Sequence, residues 1–173
     1  MGNYTSIEDE NFFGAIGRLT ISWAHLELGL DCLVEITYHG FGGSDIEQEI
    51  PRSLKRKLSY LRAVFRNMQL LPSDSLKGYE YLFNEIKDAS TTRHDIIHGV
   101  VTEHVERSGE ATMIRAIRTK TGITKRELSL TTTDIFNAAI LARDLASKLL
   151  NLVNQVYDLI HELSQQDDVQ KPL

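Results

Sequence analysis

The densest group of chemically capable side chains lies in Thr-Thr-Arg-His-Asp-Ile-Ile-His-Gly, residues 91–99. It holds Arg93, His94, Asp95 and His98 just where a helical pattern is about to end at Gly99. One chemistry is purely electrostatic. Guanidinium and imidazole groups are favoured at the negative end of a helix dipole, with Asp95 paired to a neighbour and Gly99 closing the helix. A second chemistry is metal ligation. His94 and His98, four residues apart, share one helix face, and Asp95 or His104 would have to complete the shell. Zinc needs a third or fourth protein ligand, and none stands at a zinc-site spacing, so no metal and no cofactor are expected.

The other concentration is one of charge. Arg52, Lys55, Arg56, Lys57, Arg62 and Arg66 fall in a stretch with no acid between Pro51 and Asp74. At about 100° per residue, all but Lys57 lie on a helical arc of about 120° beside an apolar face. Two readings stay open. The cations form a solvated face balanced by acids on neighbouring helices, or Arg52, Lys55, Arg56, Arg62 and Arg66 form a track for a phosphodiester backbone. With Phe65 read as inward, aromatic interleaving is thin, with Tyr60 alone beside the cations, so base stacking is not expected. His-Gly-Phe-Gly-Gly-Ser, residues 39–44, invites a phosphate-cradle reading. No strand precedes it and no Gly-Lys-Ser/Thr follows, so a helix stop and a flexible loop are expected. Phe12 and Trp23 read as core anchors. Glu27 stands beside the apolar seam, where it either orients Arg93 or lies on the surface.

Periodic segments must position these groups. From about Thr5 to Tyr38, Phe12, Ile16, Leu19, Trp23, Leu26, Leu30 and Leu33 alternate at four and three residues, the rhythm of one long helical seam. Thr5 and Glu8 form a capping-box pattern. Ala15, Ser22 and Gly29 offer a line of close approach. A second helix is expected from Pro51 to Met68, with Leu54, Leu58, Leu61, Phe65 and Met68 inward. A third runs from near Ser73 to Gly99. Between Val100 and Leu130 the period falls to two. A turn at Ser108-Gly109-Glu110 and a third short stretch near Ile123 predict a small antiparallel hairpin or meander. Thr133 is expected to cap a last long helix, and the polar tail from Gln165 to fray. The expected fold is mostly all-α: a four-helix bundle with a small antiparallel β-hairpin or meander inserted between helices 3 and 4.

Composition bounds the function. With 173 residues, 42% hydrophobic and 25% charged, the chain reads as a single soluble domain. A net charge of -5 excludes coating nucleic acid by bulk charge, though not a local basic patch. The single cysteine, Cys32, points to a reducing compartment. No signal-peptide pattern and no apolar run of membrane-spanning length is present, so a cytoplasmic location without membrane association is expected.

Arg93, followed by the polar His94 and then by His98 and Gly99 at the end of a core helix, resembles the signature of the HEPN superfamily, Arg followed after four to six residues by His. Trp23-Ala-His-Leu-Glu27 resembles a second, weaker feature of that family. The resemblance covers roughly residues 5–99 and 132–164 and leaves the β insertion outside. It implies a metal-independent endoribonuclease, a toxin or defence effector. The ribose 2′-hydroxyl would attack the adjacent phosphate, with His98 exchanging protons and Arg93 holding the phosphate, supported by His94, Asp95 and Glu27. A histidine near its reference pKa of about 6.5 and a permanently charged arginine suit those roles. The resemblance also implies a homodimer whose two motifs face one cleft, and a protein antitoxin or regulator. Family toxins silenced by nucleotide addition carry Tyr two residues after the His. Here Val100 stands there, so that regulation is not expected. The alternative is a catalytically silent helical module that binds RNA or a protein partner, and a third possibility is that the long seams simply build a larger assembly.

Overall fold

The computed structural model describes residues 7–67, 73–105 and 110–169. The three-four apolar rhythm gives four α-helices among them: α1 (Ile7–Gly40), α2 (Leu54–Asn67), α3 (Ser73–His98) and α4 (Thr132–Val169). Three strands, β1 (Val100–Val105), β2 (Glu110–Thr119) and β3 (Gly122–Thr131), lie between α3 and α4 in the chain and form one antiparallel sheet in the order β1-β2-β3. Among the described residues the fold is mostly helical, 74%, against the roughly one third usual for globular domains. No described helix is long and apolar enough to cross a membrane.

The chain clusters into two compact units. One comprises Met1–Ala24 with Ile86–Asp144, the other His25–Glu85 with Leu145–Leu173. In the first unit the seam residues Phe12, Leu19 and Trp23 of α1 are buried, with Ile86 and Ile96 of α3, Ala111 and Met113 of β2, and Ile135 and Ala142 of α4. Period-two alternation puts Ala111 and Met113 on one face of β2, and their register partners on β3 are Leu130 and Leu128. Arg115 is next on that face, directly opposite Arg126. In the second unit Leu26, Leu30 and Leu33 of α1 are buried, with Leu58, Leu61 and Phe65 of α2 and Leu149, Leu152 and Val156 of α4. A Cβ at Gly29 would stand 3.0 Å from the Leu149 side chain, the close approach read from the small-residue line.

Several boundaries differ from the sequence reading. α2 begins at Leu54 because Ser53 caps it: the Arg56 amide donates to Ser53 Oγ at 3.4 Å and the Lys57 amide to the Ser53 carbonyl at 2.8 Å. The cap of α4 is Thr131, not Thr133. Asp134 N–H donates to Thr131 Oγ1 at 3.1 Å, and Thr131 N–H donates back to Asp134 Oδ2 at 2.8 Å, a reciprocal box. α4 also continues through the polar residues to Val169, since nothing breaks a helix before Pro172. Thr5, Met68 and the turn residues 108 and 109 lie outside the described residues.

The glycine-rich segment is a packed turn and not a flexible loop. Gly42 takes a left-handed φ of 64°, and Gly43–Asp45 form one 3-10 turn. Gly43 is buried where a Cβ would meet Tyr60 Oη at 2.1 Å and Tyr38 Cα at 2.5 Å. Because one obstacle is backbone, Gly43→Ala is expected to destabilise the fold by about 1–3 kcal/mol, read as a lowered midpoint in urea unfolding. An unchanged midpoint would show that the turn relaxes freely.

Candidate functional site

Arg93, His94, Asp95 and His98 occupy the last two turns of α3, which ends at His98 because β1 begins at Val100. A Cβ at Gly99 would lie 2.7 Å from the Asp95 carbonyl oxygen and 3.0 Å from Met113 Cε, so the exit from α3 runs against the sheet too closely for a side chain. At about 100° per residue His94 and His98 share a face, while Arg93 and His98 differ by about 140°. The contacts follow that geometry. The His94 and His98 rings are 4.3 Å apart, centroid to centroid, tilted by 57°. Both histidines are exposed.

Arg93 is half-buried, with its guanidinium carbon 5.8 Å from the centroid of the Trp23 ring. Its Nε is buried and has no hydrogen-bond partner among the described residues. A desolvated guanidinium N–H without an acceptor is costly in a folded protein and is often completed by a bound anion or water. Trp23 therefore serves both the core and the arginine.

Asp95 is tied to the sheet. It is 3% exposed, and its carboxylate is held by Arg115 on Oδ1 and by Arg126 on Oδ2, the latter at 2.9 Å. It anchors α3 to the sheet by neutralising two arginines that the β2–β3 register sets opposite one another. Sequence reasoning missed both arginines. The period-two run Ala-Thr-Met-Ile-Arg-Ala-Ile-Arg carries an apolar residue and an arginine on each face, so it does not say which arginine turns inward.

His94 feels this surrounding charge. Desolvation, then the positive charges of Arg115, His98 and Arg93, hold its pKa below the usual 6.5, against the opposing pull of Asp95. It is accordingly neutral at pH 7 and able to accept a proton. Among the described residues no group of three or more His, Cys, Asp or Glu could hold a metal ion. Both Asp95 oxygens are committed to arginines, and the side chain of His104 lies outside the described residues. Glu27 is exposed on α1, in the other compact unit.

The basic arc of α2 is substantially paired within its own unit. Arg56 is bonded to Glu47. Arg62 and Arg66 share Glu80, at 2.9 and 2.7 Å, and those two guanidinium groups outweigh desolvation to lower the Glu80 pKa. Lys57, off the arc, is buried against Asp31. Arg52 and Lys55 are exposed, and neither forms an ion pair among the described residues. Acids on neighbouring segments therefore balance much of the stripe.

No family model, no curated protein and no solved structure matches this chain.

Proposed function

We propose that the chain is a HEPN-like four-helix bundle with a β insertion, acting as a metal-independent endoribonuclease of the toxin or defence type. The observation that supports it best is the end of α3, where two adjacent histidines, one held neutral, stand in the same two turns as an arginine whose buried Nε lacks an acceptor among the described residues. In this reading the Arg93 guanidinium, half-buried over Trp23, donates to a phosphate oxygen. A neutral imidazole removes the 2′-hydroxyl proton as that oxygen attacks phosphorus. An imidazolium returns a proton to the departing 5′-oxygen, leaving a 2′,3′-cyclic phosphate and a 5′-hydroxyl. His98 carries the transfer and His94, 4.3 Å away, tunes it.

The test is incubation of single-stranded RNA with the protein in excess chelator. Cyclic-phosphate ends are expected, and binding without such ends would establish the silent RNA-binding module instead.

A homodimer belongs to this reading, because about 140° of helix separates Arg93 from His98 and a second copy can bring its own pair to the same phosphate. The same unit leaves apolar surface for a partner to cover: Ile21 is 61% exposed, Phe136 40% and Val100, two residues beyond His98, 67%. Light scattering at micromolar concentration is expected to return twice the 19.6 kDa chain mass. A strict monomer would remove the shared cleft. A protein antitoxin or regulator would act by covering that cleft.

A further inference from the structure

We propose that the cavity between α2 and the first half of α3 is a nucleobase pocket, binding one unstacked base with its phosphate. It rests on RNA being this protein's ligand, but not on cleavage. The cavity measures about 430 Å³ and is lined by Phe65, Leu76, Tyr79, Tyr81 and Phe83, with Arg62, Arg66 and Lys77 among the polar residues around them. That volume falls in the range of about 300–1,000 Å³ typical of small-molecule sites.

The walls are aromatic and their arrangement is fixed. Phe65 is 5.0 Å from Tyr79 and 5.9 Å from Phe83, centroid to centroid. Phe65 and Phe83 are buried, so the accessible aromatic surface of the lining is that of Tyr79, partly exposed, and Tyr81, 65% exposed. The polar groups are equally organised. Glu80 fixes Arg62 through Nε and Arg66 through one terminal nitrogen, and Arg62 donates its other end to Asn84 Oδ1 at 3.0 Å. Arg62 and Arg66 share one carboxylate, and Arg66, 70% exposed, keeps further N–H donors for an anion.

An apolar aromatic slot beside preorganised guanidinium groups suits a flat, weakly polar ring carrying a negative charge, which is the description of a nucleotide. A neutral apolar ligand would leave the cations unused, and an acidic peptide would leave the aromatic slot unused. Lys55 on α2 and Arg52 just before it, both exposed, give a neighbouring phosphate somewhere to go. On α2 alone the arc lacked aromatic partners. The fold supplies them from α3.

The experiment measures binding of a fluorescein-labelled, 2′-O-methyl oligoadenylate 12-mer, which cannot be cleaved by 2′-hydroxyl attack, beside its abasic counterpart, AMP and inorganic phosphate. The base-bearing oligomer is expected to bind at least about tenfold more tightly than the abasic one. Tyr81→Ala should lose about tenfold while Tyr81→Phe restores binding, and circular dichroism should be unchanged because the residue is exposed. Arg66→Gln should reduce the slope of log affinity against log salt by about one. If AMP displaces the oligomer at comparable affinity, the occupant is a free nucleotide; if AMP is much weaker, it is a base within RNA. Equal binding of abasic and base-bearing oligomers, inorganic phosphate binding as well as AMP, or an indifferent Tyr81→Ala would each overturn the pocket. None of these outcomes depends on turnover, so a protein that fails to cleave RNA still answers the question.

Discussion

His98→Ala is expected to lower RNA cleavage by at least about a hundredfold, with folding intact and chelator without effect on the wild-type rate. The size follows from removing a general acid–base group, whose contribution is about 10²–10⁴. The clean folding behaviour follows from exposure, since His98 lies at the open end of α3. Arg93→Ala should cost a comparable factor, because a guanidinium that meets charge developing on phosphate acts mainly in the transition state. It should also cost about 1 kcal/mol of stability, for Arg93 is half-buried over Trp23. The arginine variant must therefore be compared at matched folded fraction. His94 provides the internal control. Its lowered pKa keeps it unprotonated somewhat below pH 6.5, so a rate carried by His94 would persist into mild acid. Cleavage that survives in His98→Ala and disappears in His94→Ala would move the proton transfer to His94. Cleavage surviving in both would remove the site altogether.

Helices were legible because their signal is repeated many times over. Seven residues from Phe12 to Leu33 mark one face, and a single exception such as Ile16, which is only partly buried, leaves the helix and its inward side unchanged. The strand region was legible for a similar reason, through the shift to period two. The site was legible only in part. Arg93, His94 and His98 are neighbours in sequence, so helical geometry alone brings them together. The role of Asp95 depends on Arg115 and Arg126, placed by a sheet register that no local pattern specifies. The cap of α4 shows the same limit on a smaller scale. Thr131, Thr132 and Thr133 are chemically equivalent, and only the position of Asp134, three residues after Thr131, chooses among them. The aromatic pocket was hidden because α2 supplies the arginines while α3 supplies Tyr79, Tyr81 and Phe83.

Asp95→Asn is expected to be among the most destabilising single changes available, although it removes no atom from the apolar core. Like charges placed directly opposite on neighbouring strands repel. The β2–β3 register places Arg115 against Arg126, and the Asp95 carboxylate, reaching both, turns that pair into an attachment of the sheet to α3. Removing one partner of a buried ion pair costs about 3–5 kcal/mol. Here the lower end applies, because Arg126 is 47% exposed and partly screened by water while Arg115, at 19%, is not. A loss of roughly 3 kcal/mol corresponds to a fall in Tm of about 6–12 °C for a chain of this size. The double change Asp95→Leu with Arg115→Met should recover most of it, since well-packed apolar groups commonly replace a buried pair without loss. The same variants separate anchoring from chemistry. At a temperature where Asp95→Asn remains folded, its cleavage rate should stay within a few-fold of wild type, because the carboxylate faces the sheet arginines rather than the histidines. A fall in Tm under about 2 °C would show that the triad contributes nothing to the fold, and a hundredfold loss of cleavage in the folded protein would return Asp95 to the catalytic group.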